Sequence, residues 1–197
     1  MARTVLGIVA AQIVLYLWGF LVWGLGPYRE AIWKKPTDDD AAQQSLLTYF
    51  PTEGTYFVPS AQEDGEKMEK LYKDGPLVMV HVLSIRGKPV ADMSVMINGF
   101  FWNLLVIVLI AIWMKRYAHA FPTYGERFGF VAFAGVIAAV LIDGGGVAWW
   151  RMDIPWKIYQ GLYDVSVWVI AGAILAACIK PSSSVPRTSE TPASPPI

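Results

Sequence analysis

Apolar residues along this chain gather into four long stretches separated by polar segments of very unequal length. The first, residues 5–25, holds 21 residues with Gln12 as its only strongly polar member. At 1.5 Å rise per residue it covers roughly 31 Å, close to the ~30 Å hydrocarbon core of a bilayer. Gly26-Pro27 ends it. The second, residues 96–114, carries Trp102 and Trp113 near its ends and is closed by Lys115-Arg116. The third is cleanly apolar only over residues 128–142, about 22 Å of helix, which is too short to span. It crosses a bilayer only by continuing through Asp143-Gly144-Gly145-Gly146 to Trp149-Trp150. The fourth, residues 158–179, is long enough but contains Asp164, and Lys180-Pro181 ends it. Arg3 followed by an apolar run also has the outline of a secretory signal. The run is too long for an h-region and no small-x-small cleavage site precedes its polar end, so an uncleaved helix is expected.

Between the first and second stretches lie residues 28–95, with eight basic and eleven acidic side chains. Thr37-Asp38-Asp39-Asp40 ahead of Ala41-Ala42-Gln43-Gln44-Ser45-Leu46-Leu47 predicts a helix start. Thr37 is suited to cap it, and the carboxylates favour the positive end of the helix dipole. A second short helix is predicted over 61–72, with Met68, Leu71 and Tyr72 on one face and Gly75-Pro76 after it. Thr55-Tyr56-Phe57-Val58 is strand-like between Gly54 and Pro59. Residues 77–85 form the best strand, alternating Val78, Val80 and Val82 against Met79, His81 and Leu83. The fold class expected is therefore membrane all-α: a four-transmembrane-helix bundle with a small α+β insertion between helices 1 and 2. Its parts are helix 1 (1–27), the insertion (28–95), helices 2–4 (96–180) and a tail (181–197). The insertion makes only a marginal core by itself. The tail is rich in Ser, Thr and Pro, buries too little to offset chain entropy, and is expected to be disordered.

Composition sharpens this picture. Charged residues are 16% and apolar residues 55% of the chain, against about 25% charged in soluble domains. Nine Trp, nine Tyr and nine Phe suit a protein that meets two lipid–water interfaces. The formal net charge is zero, which gives no reason to expect nucleic acid as a partner. With Cys178 as the single cysteine, an intrachain disulfide and any multi-cysteine metal site are excluded. Lysine and arginine in short loops set topology. The connection from Lys115 to Glu126, with Arg127 beside it, carries three basic residues and one acid, and Arg3, Lys180 and Arg187 add to the same side. The expected location is a bacterial inner membrane with both termini cytoplasmic and residues 28–95 outside. Arg29, Lys34 and Lys35 close behind helix 1 argue the other way.

Candidate chemistry is sparse. Acidic residues at membrane depth are costly and usually face a bundle interior or water. With both termini inside, Asp143 and Asp164 fall in the same outer half of the membrane, and Arg151 and Lys157 are available as counter-charges. The functional reading is a proton or ion site. The plainer and preferred one is interfacial carboxylates paired with these bases. Three consecutive glycines beside Asp143 predict a helix break or distortion, slightly favoured as a loose turn at the membrane surface. Ala134 with Ala138, Gly135 with Ala139, Gly172 with Ala176 and Ala173 with Ala177 place small residues four apart, so helices 3 and 4 are expected to pair closely. Gln12, Asn98 and Asn103 are expected to hydrogen-bond between helices. His81 and His119 fall on opposite sides and cannot share a metal. His81 with Met68, Met79, Met93 and Met96 outlines a copper(I)-type set, although scattered methionines are more often packing residues. No P-loop, dinucleotide fingerprint, nucleophile elbow or HExxH occurs. No cofactor or catalytic residue is expected.

Trp18-Gly19-Phe20-Leu21, then Pro27, Leu46-Leu47, Pro51-Thr52-Glu53-Gly54-Thr55-Tyr56-Phe57-Val58-Pro59 and Gly75-Pro76 together resemble a group of uncharacterised bacterial four-helix inner-membrane proteins. These carry an extracytoplasmic P-x-E-G-x-Y-x-x-P segment. The resemblance covers roughly residues 5–80 and implies that layout, with no activity attached. The leading functional expectation is a non-enzymatic accessory or assembly subunit of a membrane complex, whose partners are the lipid bilayer and other subunits or itself. The alternatives are a small proton- or ion-linked transporter using Asp143 and Asp164, and an outer-face metal-handling protein centred on His81.

Overall fold

The computed structural model describes residues 2–26 and 28–181. The chain forms α1 (Ala2–Leu25), α2 (Tyr28–Ile32), α3 (Asp39–Tyr49), β1 (Gly54–Val58), α4 (Gly65–Asp74), β2 (Val78–Val82), α5 (Met93–Tyr117), α6 (Tyr124–Trp150) and α7 (Ile154–Cys178). Of these, α1, α5, α6 and α7 are long and apolar enough to cross a membrane. Each outruns its predicted stretch by several residues, because polar caps continue a helix that apolar counting stops short of. At the start of α6 the Thr123 hydroxyl accepts from the Glu126 backbone N–H, while the Glu126 carboxylate accepts from the Thr123 N–H. This reciprocal pair satisfies two donors that a helix start leaves open.

The third helix corrects the expectation of a surface turn at the glycines. Gly144, Gly145 and Gly146 are helical, and α6 runs unbroken to Trp150. The distortion is a π-helical turn over Val140–Gly144. A similar turn closes α1 over Phe20–Leu25, where the Tyr159 hydroxyl donates to the Val22 carbonyl at 3.1 Å. Glycine costs about 1 kcal/mol against alanine in a helix, which bends a helix held by its neighbours without breaking it.

Residues 2–33 and 94–181 make one compact unit. α7 is its central helix, packed most extensively by α6 and next by α1. The core joins Ala11 and Leu15 of α1, Ile107, Ile110 and Met114 of α5, Val131 of α6 and Ala171, Leu175 and Ala176 of α7. Outside it, Leu6, Val9, Ile13, Leu109, Leu141 and Ile142 are exposed, the inverse of a soluble bundle and the arrangement a lipid solvent allows. Gln12 donates to the Phe100 carbonyl at 3.0 Å, as expected. Asn98 and Asn103 make no comparable bond among the described residues.

The expected pairing of helices 3 and 4 is observed, and Gly135 is its tightest point. A Cβ there would lie 2.2 Å from the Cβ of Trp168 and 2.4 Å from its Cγ. Both atoms are at the root of the side chain and cannot swing away. Gly135→Ala is therefore expected to destabilise the bundle by about 1–3 kcal/mol. Gly129→Ala, which meets nothing within 4 Å, should be neutral or stabilising by up to ~1 kcal/mol. Thermal unfolding of both variants in one detergent checks this, and equal midpoints would refute it.

Residues 34–93 form a second unit. Asp38, rather than Thr37, caps α3, accepting from the Ala41 N–H at 3.0 Å. A carboxylate answers both the free N–H and the helix dipole. Asp64 caps α4 in the same way, so that helix starts later than predicted. The nearby Lys67 ammonium is held above its ordinary pKa by its bond to Glu63 at 2.6 Å. β1 and β2 pair antiparallel, Gly54 opposite Val82 and Val58 opposite Val78. Pro59 is the one fully buried residue of this unit, so its core is as thin as its length implies. The expected disorder of the tail concerns positions from 182 onward, outside the described residues.

Candidate functional site

The buried stripe of α6 steps by four residues: Arg127, Val131, Gly135, Ala139, Asp143. In a straight α-helix each such step overshoots a full turn by about 40°. The π turn at Val140–Gly144 adds a residue to the turn and holds Asp143 on the inward face. Asp143 is only 6% exposed.

Facing it is Lys157, near the start of α7. Its Nζ donates to Asp143 Oδ1 at 3.1 Å, and the two side chains are 12% and 8% exposed. The glycines make this approach possible. A Cβ on Gly146 would sit 2.7 Å from Lys157 Cε, and one on Gly161 would sit 3.4 Å from Asp143 Oδ2. The lysine stem thus lies along Gly146, and the carboxylate lies against Gly161.

Asp143 Oδ2 is buried and has no hydrogen-bond partner among the described residues. Asp164, one turn beyond Gly161, brings a second carboxyl within interacting reach of both Asp143 and Lys157. Two acids and one base leave the cluster one positive charge short of neutrality. A proton shared between Asp164 and the free oxygen of Asp143 would supply that charge and satisfy that oxygen. Two cavities open on the cluster. One, of about 210 Å³, lies among α1, α5, α6 and α7 and is lined by Asp164 with Leu15, Asn103, Tyr163 and Trp168. The other, about 330 Å³ and almost wholly apolar, is an open groove on the surface of α6 and α7, lined by Asp143 and Lys157 with the exposed Val140, Ile158 and Leu162.

Of the four residues singled out in the sequence, the structure brings together Asp143, Lys157 and Asp164. Arg151 stays out. It is exposed, adopts φ 51°, and gives its backbone N–H to the Gly146 carbonyl at the end of α6. The expected pairing of an acid with a base is found, and it is buried in the bundle. His81 is exposed, and its Nδ1 meets the Thr55 hydroxyl at 2.9 Å across the strand pair. The described residues hold no group of three or more His, Cys, Asp or Glu placed to bind a metal.

Two features escaped the sequence reading. Arg127, read there as a loop charge, is 4% exposed and donates to the carbonyls of Phe121, Pro122 and Ala176. Trp23 packs edge-on against Trp156, Tyr159 and Tyr163, and Trp18 Nε1 donates to the Ser166 hydroxyl at 2.8 Å. The spacing of Trp156, Tyr159 and Tyr163 on one helical face was the available signal for the aromatic cluster. For Arg127 it was membership in the four-residue stripe. Comparison with known proteins gave no matching family, no similar curated protein and no similar solved structure.

Proposed function

We propose that this chain is a proton-linked membrane transporter of a bacterial inner membrane, both termini cytoplasmic, with Asp143, Lys157 and Asp164 as its proton-binding site. The observation that carries this reading is the second carboxyl, Asp164, that adjoins the buried Asp143–Lys157 pair. A purely structural ion pair needs one acid and one base. Here a second acid adjoins the pair and itself lines a cavity among all four long helices. Intramembrane ionisable residues facing a bundle interior mark ion and proton paths in membrane proteins.

The test is proton movement into proteoliposomes that enclose a pH-sensitive dye, driven by an imposed potential. Wild-type protein should carry protons faster than protein-free vesicles, and Asp164→Asn should fall to the protein-free rate. A wild-type rate equal to that of empty vesicles ends the proposal.

A second reading, an accessory subunit of a larger complex, is favoured by the 34–93 unit. There a groove of about 420 Å³ runs beside β2, lined by Leu46, Leu47, Phe50, Leu83 and Ile85. Leu83 is 86% exposed, and exposed apolar residues beside a groove mark contact surfaces. Mild-detergent extraction from native membranes followed by mass measurement decides, since a lone monomer excludes it.

A further inference from the structure

We propose that the cavity among the four long helices binds a small alkylammonium cation, whose charge takes the place of the proton on Asp164. This inference rests on the proton-linked reading and names the solute that the proton exchanges with. The cavity's chemistry selects the class. Its lining has one carboxylate, Asp164, and one amide, Asn103; the remainder is apolar or aromatic, including Leu15, Ile107 and Trp168. A bare metal cation needs about six oxygen ligands, and this wall offers too few. An anion would meet a carboxylate in an apolar site, a large cost. A neutral apolar solute would leave the proton on Asp164 in place and so could not exchange with it.

An alkylammonium answers each wall. Asp164 and the Asn103 side chain offer acceptors for its N–H groups, Tyr163 and Trp168 are aromatic neighbours suited to a cation, and Leu15 and Ile107 suit its chain. About 210 Å³ is room for roughly seven water-sized groups at ~30 Å³ each, which sets the size of the solute at a short chain.

The exchange balances in charge. Asp164 releases one proton as the cation arrives, and the Asp143, Lys157 and Asp164 cluster with its occupant stays neutral throughout. The titratable groups facing Asp164 are Asp143 from α6, and Lys157 and Tyr163 from α7. α1 and α5 contribute only Leu15, Asn103, Val106, Ile107 and Ile110 to this wall, none of them titratable. The same site therefore holds a proton or a cation, but not both.

The experiment is calorimetric titration of the purified full chain with n-butylammonium, repeated in two buffers of different ionisation enthalpy to count protons. Binding with proton release, approaching one proton as the pH is lowered to where Asp164 is protonated, is expected. n-Butanol, the neutral isostere, should not bind. Asp164→Asn should weaken butylammonium binding at least roughly 30-fold, the loss expected when one partner of a buried charge pair is removed. Ala138→Phe, which fills the cavity from α6 and leaves both acids in the chain, should weaken it as well. Butanol binding as tightly as butylammonium would reveal only an apolar hole and overturn the inference. So would undiminished cation binding in both variants, or cation binding without proton release. Proteoliposomes that carry protons with no butylammonium binding would sink this inference while leaving the proton-linked reading intact.

Discussion

Lys157→Met is expected to cost roughly 3–5 kcal/mol of stability, the penalty for stranding a buried charge. Asp143 and Lys157 are both largely shut from solvent, so water cannot take over from the missing ammonium. The double variant Asp143→Asn with Lys157→Met should recover most of that loss. It strands nothing, and replacing a buried pair by uncharged groups of similar volume is often near neutral. For a chain of this length the single variant should lower the thermal midpoint by roughly 10 °C. The cycle is read by thermal unfolding in detergent. A single variant within 1 °C of wild type would show that the pair is hydrated and that the cluster has no buried charge to manage.

The second large effect is expected at Arg127. Its Nη1 donates to the Phe121 and Pro122 carbonyls at 2.9 and 2.8 Å, and its Nη2 and Nε to the Ala176 carbonyl at 3.2 and 3.4 Å. Those acceptors lie in the connection after α5 and in the last turn of α7, where helix carbonyls lack partners of their own. One guanidinium thus ties three segments together. Arg127→Met should cost about 2–4 kcal/mol, the value of charge-assisted bonds less the cost of burying the cation. Arg127→Lys should recover less than half, because a single ammonium cannot fork toward carbonyls on two sides. Chemical or thermal unfolding of the two variants side by side checks this, and full rescue by lysine would refute the forked role.

Much of the fold was legible because lipid imposes simple rules. Length, hydropathy and end signals located four helices, since a span must be about 20 apolar residues long with its backbone satisfied internally. Gln12 was readable as an interhelical donor because a lone amide in an apolar run needs a partner. Gly135 with Ala139, and Gly172 with Ala176, announced the α6–α7 contact because small residues four apart let backbones approach. Strands over residues 55–58 and 77–85 were readable from alternation and β-branching alone, and the structure forms them over Gly54–Val58 and Val78–Val82.

The candidate site was half legible. Asp143, Asp164, Arg151 and Lys157 could be assembled from the sequence as a group of charges near one end of two helices. Which base would serve which acid depends on a π turn and on the end of α6. Nothing in a list of residues shows that Gly144 to Gly146 keep helical dihedrals while Arg151 turns away in the left-handed region. Sequence also misjudged Arg127, since a basic residue beside a loop counts equally toward topology whether it faces water or points into the bundle.

The four long apolar helices, a separate segment between the first two of them (read as 28–95, found as 34–93) and the shortage of charge thus followed from the sequence by itself, because each depends only on composition over a local window. Tertiary structure alone decided that Asp143 is buried, that Lys157 and not Arg151 answers it, and that Asp164 joins the pair as a second acid. Burial and charge pairing belong to contacts between helices, and a single register change at the Val140–Gly144 turn would aim Asp143 elsewhere.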